Sequence, residues 1–220
     1  MTIRRTLATC CLALAAACGD SKSHARATAV LVDVSGTYAD QVPEVVRIIR
    51  TGLLPKLRPG DSFFLVRIDD QSYDQAAVEA EVTLDSQPSR ANAQKLQLAT
   101  RLEEFGQKAR RARHTDVSGA LLITSEHLRE TRAGLRTVVI FSDLREELPK
   151  GVRRTLGPGE FEKTEIIAMN VKRLAADSAD PTAYRERLAE WGKKLTQAGA
   201  SSWKVVLSRE ELVKEFAQEE

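Results

Sequence analysis

The stretch Ala29-Val30-Leu31-Val32-Asp33-Val34-Ser35-Gly36-Thr37 sets a nearly continuous apolar run against a turn rich in oxygen. A run apolar at every position, not at every second or every third and fourth, predicts a strand covered on both faces, as in the middle of a parallel sheet. Beyond the turn, Val42, Val45, Val46, Ile49 and Leu53 recur at helical spacing through a segment of about 18 residues. Residues 63–68 (FFLVRI) read as a second buried strand. In Val78, Ala80, Val82 and Leu84 apolar and polar positions alternate, which predicts a half-exposed antiparallel edge strand.

Further along, Pro88-Ser89 starts a long helix with Leu98, Leu102, Phe105 and Ala109 on one stripe. Asp116 starts another, with Val117, Ala120, Leu121, Thr124 and Leu128 inward. Residues 137–141 (TVVIF) and 165–171 (EIIAMNV) are strands separated by a polar loop, residues 144–162, long enough to suggest a functional insertion. A helix over 182–197, a strand over 203–207 and a last helix introduced by the capping box Ser208 and Glu211 complete the pattern. The alternation predicts an α/β fold: a doubly wound, mostly parallel sheet with helices on both faces and one antiparallel edge strand. Ligands of such sheets bind outside the carboxyl ends of the strands, where strand order reverses.

The chain has 220 residues, 33 basic and 31 acidic, for a net charge of +2. That excess sits in residues 1–17, which hold Arg4, Arg5 and no acid ahead of a short apolar run, the layout of a cleavable leader too short to span a bilayer as a helix. Ala15-Ala16-Ala17 before Cys18 resembles the lipobox of bacterial lipoproteins, which implies cleavage before Cys18 and its acylation. The expected organisation is therefore a leader over 1–17, a lipidated Cys18 with a tether over 18–26, and one domain over 27–220. Removing the leader leaves 31 basic against 31 acidic residues, so nothing in the global charge favours nucleic acid as a partner. The one remaining cysteine, Cys18, cannot form an internal disulfide, so stability rests on the core. The expected location is the bacterial envelope, outer membrane favoured over inner because Gly19 is not Asp, with the domain in the periplasm or at the cell surface.

Oxygen-bearing side chains stand at three expected strand ends or loops: Asp33, Ser35 and Thr37 after the first strand; Thr115 and Asp116 before a helix; Ser142 and Asp143 after residues 137–141. Hydroxyls and carboxylates without a softer partner suit Mg²⁺, which prefers about six oxygens and keeps several waters. In order and spacing the three elements resemble the metal-ion-dependent adhesion site of the von Willebrand factor A (vWA) family. The resemblance implies Ser35 and Thr37 as direct ligands, Thr115 as a direct or water-mediated one, and Asp33 and Asp143 acting mostly through water or hydrogen bonds. It also implies Mg²⁺, with Mn²⁺ as the alternative dication, and a coordination position open to an Asp or Glu carboxylate from a protein partner. Arg113-His114 stand where the family often has Gly, and Leu144-Arg145 follow Asp143 where Gly is frequent. Arg113, His114 and Arg145 are therefore expected on the partner-binding rim, with the 144–162 loop.

Plainer readings compete. Asp33, Ser35 and Thr37 can cap a turn and the next helix, Thr115 or Asp116 can serve as a helix cap, Asp69-Asp70 as turn chemistry, and the run Lys108, Arg110, Arg111, Arg113 as a solvated helix end. The turn DVSGT resembles the D-x-D-G-T turn of haloacid-dehalogenase-like phosphatases, but Ser35 stands where a second Asp would act as acid and base. Only His24, His114 and His127 are available to a serine hydrolase, no nucleophile elbow is present, and no spaced Cys and His ligands suit zinc. The expectation is a non-enzymatic protein-binding domain. A structural scaffold with a vestigial metal site, and more remotely a phosphatase, are the alternatives.

Overall fold

The computed structural model describes residues 25–36, 38–109, 111–131, 133–170 and 178–217. The expected leader, Cys18 and Thr37 lie outside the described residues. Among the described residues no helix is long and apolar enough to cross a membrane.

Six strands form one sheet: β1 (Arg26–Asp33), β2 (Ser62–Ile68), β3 (Val78–Thr83), β4 (Leu135–Phe141), β5 (Thr164–Met169) and β6 (Ser202–Val206), in the order β3-β2-β1-β4-β5-β6. All neighbours are parallel except β2 and β3, which makes β3 the antiparallel edge. The chain builds outward from β1 to β3, then returns to β1's other side and builds outward again to β6. The order therefore reverses between β1 and β4. Apolar burial explains why β1 is central: Val30, Leu31 and Val32 are each 0% exposed, and full burial of such a side chain contributes about 1.5–3 kcal/mol.

The alternation of the strands divides the core into two layers. Val30, Val32, Val139 and Ile167 pack with α1 (Val42–Ile48), α2 (Pro88–Lys108) and α5 (Arg209–Ala217). Leu31, Phe64, Ile140 and Ile166 pack with α3 (Val117–Glu130) and α4 (Pro181–Gln197). Helices thus cover both faces, as the sequence pattern requires.

The segment read as one helix of about 18 residues is wound in three ways. A 3₁₀ turn (Ala39–Gln41) leads into α1, which passes into a π turn (Ile49–Leu53) and a 3₁₀ turn (Leu54–Lys56). The wider π winding keeps both Leu53 and Leu54 buried. Gly52 sits in that turn because α5 presses on it: a Cβ there would stand 2.9 Å from Val213 Cγ2. The starts of α3, α4 and α5 are capped as their residue types dictate. Asp116 accepts from Gly119 N–H at 2.6 Å, Asp180 from Ala183 N–H at 3.0 Å, and Ser208 from Glu211 N–H at 3.1 Å. The Glu211 carboxylate returns not to Ser208 but to Leu207 N–H, at 2.7 Å.

Candidate metal centre

Asp33 ends β1 at the strand-order reversal and is 0% exposed. Its Oδ1 accepts from Ser35 N–H at 2.8 Å and from Ser35 Oγ–H at 2.5 Å, closing an Asx turn. Its Oδ2 accepts from Ser142 Oγ–H at 2.6 Å. The Ser142 hydroxyl in turn accepts from Leu144 N–H at 2.9 Å, so one serine joins the ends of β1 and β4. Because the Ser35 hydroxyl proton is committed to Asp33, its oxygen lone pairs remain available as ligands. Gly36, at φ +28, turns the chain back, and buried Tyr38 donates its hydroxyl to Met169 O at 3.4 Å.

Backbone lacing holds the other two elements against this turn. Ala112 pairs with Ser35 as in a parallel strand, through Gly36 N–H to Ala112 O (3.1 Å) and Ala112 N–H to Val34 O (3.0 Å). Thr115 pairs antiparallel with Glu147, both hydrogen bonds at 3.0 Å. Asp116 N–H donates to Asp69 O at the end of β2, also at 3.0 Å. The loop before α3 therefore brings Thr115, which is 6% exposed, to the end of the sheet that carries Asp33 and Asp143.

Asp143 is 6% exposed. Its Oδ1 accepts from Arg145 N–H at 2.9 Å, and Arg145 Nε stands 3.9 Å from Oδ2. From α4, Arg187 Nε–H donates to Asp143 O at 2.9 Å and Trp191 Nε1–H to Leu144 O at 3.0 Å. Leu144 adopts φ 61, a left-handed conformation that costs a non-glycine residue about 1–2 kcal/mol. Its side chain is 1% exposed in the α3/α4 layer, and that burial offsets the strain. This is the physical reason leucine stands where glycine is frequent in the resemblance.

The two fully buried aspartates of this region, Asp33 and Asp116, are treated differently. Asp116 is 0% exposed: its Oδ1 caps α3, and its Oδ2 accepts from Arg154 Nε–H at 3.0 Å. It is a helix cap and ion-pair partner. Among the described residues Asp33 has only neutral donors. Burial raises its pKa from 3.8 to about 6, against the opposing hydrogen bonds of Ser142 and Ser35, and the nearby negative charge of Asp143 adds to the rise.

The rim residues divide as well. Arg113 is exposed, His114 and Arg145 are half-buried, and Arg145 is turned to Asp143. The 144–162 loop is a strap fastened over the start of α3. Glu146 accepts from Ser118 N–H at 2.7 Å, Glu147 pairs with Thr115, and Arg154 reaches Asp116. Asp69, read as turn chemistry, accepts from Gln71 N–H at 2.8 Å and pairs with Arg67. Ser142 was visible in sequence only as a strand-end hydroxyl. Arg154, Arg187 and Trp191 carried no sequence signal of their contacts with the site.

Among the described residues no three His, Cys, Asp or Glu side chains cluster as metal ligands. The donor set consists of two carboxylates and the hydroxyls of Ser35 and Thr115, which fits a small hard dication and no softer metal.

No protein-family model matches the sequence, and no curated protein matches it. Solved structures do. A von Willebrand factor type A protein from Catenulispora acidiphila superposes with TM-score 0.51 at 12% identity, over 89% of this chain and 42% of that one. The fold is vWA-like. The conserved hypothetical protein BatB from Bacteroides thetaiotaomicron gives TM-score 0.53 at 11% identity, over 88% of this chain and 96% of that one. Manganese-loaded TRAP protein from Plasmodium vivax gives 0.50 at 14%, over 88% and 74%. At these identities the likeness is one of fold, and the vWA-like domain's own residues must carry the functional argument.

Proposed function

We propose that this vWA-like domain is a non-enzymatic, Mg²⁺-dependent protein-binding module, held to a bacterial envelope membrane by lipid on Cys18. The observation that carries the reading is Asp33, a fully buried carboxylate at the strand-order reversal with three neutral hydrogen-bond donors and no cationic partner among the described residues. A buried charge is costly unless paired. Asp116, a loop away, has Arg154. A carboxylate of pKa about 6 is mostly ionised at neutral pH, and a dication over the Ser35 turn compensates it.

Ser35, Thr37 and Thr115 would hold the metal, with Asp33 and Asp143 orienting hydroxyls and waters around it. The chemistry a bound Mg²⁺ or Mn²⁺ supplies is one coordination position that attracts a carboxylate oxygen from a partner's Asp or Glu. The chain's own part is positional. Ser142 and Ser35 fix Asp33, the Thr115–Glu147 pairing fixes the loop before α3, and Arg187 with Trp191 fixes the backbone after Asp143. Arg113, His114 and Arg145 form the rim against which partners are discriminated. The manganese in the similarly folded TRAP structure is consistent with this reading.

The test is capture of envelope proteins on the immobilised full chain in Mg²⁺ and in EDTA. The reading expects capture that needs Mg²⁺ and is lost in Asp33→Ala and Asp143→Ala. Capture indifferent to EDTA and to both substitutions supports the scaffold reading instead. Globomycin-sensitive processing, and loss of membrane association in Cys18→Ser, test the anchor.

A further inference from the structure

The sheet register brings one more polar side chain into line with the site. Val32 pairs with Phe141 and Phe141 with Met169, so the next residues along, Asp33, Ser142 and Asn170, lie side by side at the ends of β1, β4 and β5. Two residues earlier, Leu31, Ile140 and Ala168 all face the α3/α4 layer, and strand alternation puts Asp33, Ser142 and Asn170 on that same face. The Ser142–Asp33 hydrogen bond shows the first two members of this row in contact. Asn170 is 9% exposed, and neither its Nδ2 nor its Oδ1 has a hydrogen-bond partner among the described residues. Leaving a buried polar group without a partner costs about 1–3 kcal/mol, and an amide has two donors and two lone pairs to satisfy. Among the described residues no hydrogen bond accounts for an asparagine at this position.

The neighbouring Ser142 hydroxyl has donated to Asp33 and accepted from Leu144 N–H, which leaves it one lone pair. Side chains on adjacent strands stand about 4.8 Å apart, a span one water crosses with two hydrogen bonds. We propose that Asn170 is a positioning residue of the metal centre: through an ordered water it holds Ser142, and through Ser142 it holds the Asp33 carboxylate. This rests on the metal-binding reading above. The row then runs across three strands, and its far end lies just past β5, remote in sequence from every expected ligand.

The experiment is a double-mutant cycle of Asn170→Ala and Ser142→Ala in the full chain. It is read by Mg²⁺ titration calorimetry, with metal-free melting as the check that each variant is folded. Asn170→Ala is expected to weaken Mg²⁺ binding about threefold to tenfold, less than the roughly 10–100-fold typical of a group hydrogen-bonded directly to a metal ligand. On the Ser142→Ala background it is expected to change binding less than twofold, and Asn170→Ser, which retains a water-binding hydroxyl, to restore most of the affinity. In the metal-free protein, the Asn170 side-chain amide protons are expected to show Overhauser contacts to a long-lived water. Equal loss on both backgrounds, no loss in Asn170→Ala, or no long-lived water overturns the inference while wild-type Mg²⁺ binding leaves the metal reading standing. A wild type that binds no Mg²⁺ overturns both.

Discussion

Asp33 and Asp116 are both 0% exposed and both sit where a loop of the site meets a regular element, yet they are held in opposite ways. Asp116 is neutralised by the protein itself, with Arg154 on one oxygen and the start of α3 on the other. Asp33 has hydroxyls and an amide but, among the described residues, no cation. A buried carboxylate that completes its own ion pair is a structural device. One that receives only neutral donors is costly to the fold at neutral pH, a cost that the proposed dication would offset.

The largest expected effect breaks the structural member of the pair. Asp116→Ala removes the cap and strands Arg154, and is expected to lower unfolding free energy by about 3–4 kcal/mol in denaturant titration. Asp33→Asn should act with the opposite sign. In EDTA at pH 7.5 it relieves an ionised buried carboxylate and is expected to stabilise the fold by about 1–3 kcal/mol. If both variants destabilise alike, the distinction between the two aspartates fails.

Gly119→Ala probes Asp116 without removing it. A Cβ at Gly119 would lie 2.3 Å from Asp116 Oδ2, so the capping carboxylate must shift, at an expected cost of about 2 kcal/mol in the same titration.

The pH dependence sharpens the other side. Asp33 holds its proton more tightly in the fold (about 6) than in the unfolded chain (3.8). In the metal-free protein its stabilising contribution is therefore complete below 3.8 and is lost as pH rises through 6. Mg²⁺ requires the ionised form, so binding is expected to weaken about tenfold between pH 7 and pH 5, measured by calorimetry. The smallest effect belongs to Arg113→Ala. This exposed rim residue is expected to leave stability within about 0.5 kcal/mol and Mg²⁺ affinity unchanged, altering only partner capture.

The difference between the two aspartates marks what was legible in sequence. The turn over Asp33, Ser35 and Gly36, and an aspartate after residues 137–141, are local patterns, and local patterns read directly as strand and turn. Asp116 was legible as a cap because its partner, Gly119, is three residues away. Its ion pair was not, because Arg154 lies 38 residues on, in a loop without periodicity. Ser142 reaches Asp33 across 109 residues and Trp191 reaches Leu144 across 47, contacts that exist only once register and helix docking are fixed. The close packing that requires Gly52 escaped for the same reason: it comes from Val213, on α5.

The proposed role of the Asp33 carboxylate is to bind a dication. Calorimetric titration of the full chain with Mg²⁺ at pH 7.5, beside Asp33→Asn, tests it directly. A saturable one-site heat in the wild type, a melting temperature that rises with Mg²⁺ concentration, and neither response in Asp33→Asn are expected. A wild type that gives no heat and no thermal shift at millimolar Mg²⁺ and Mn²⁺ would contradict it.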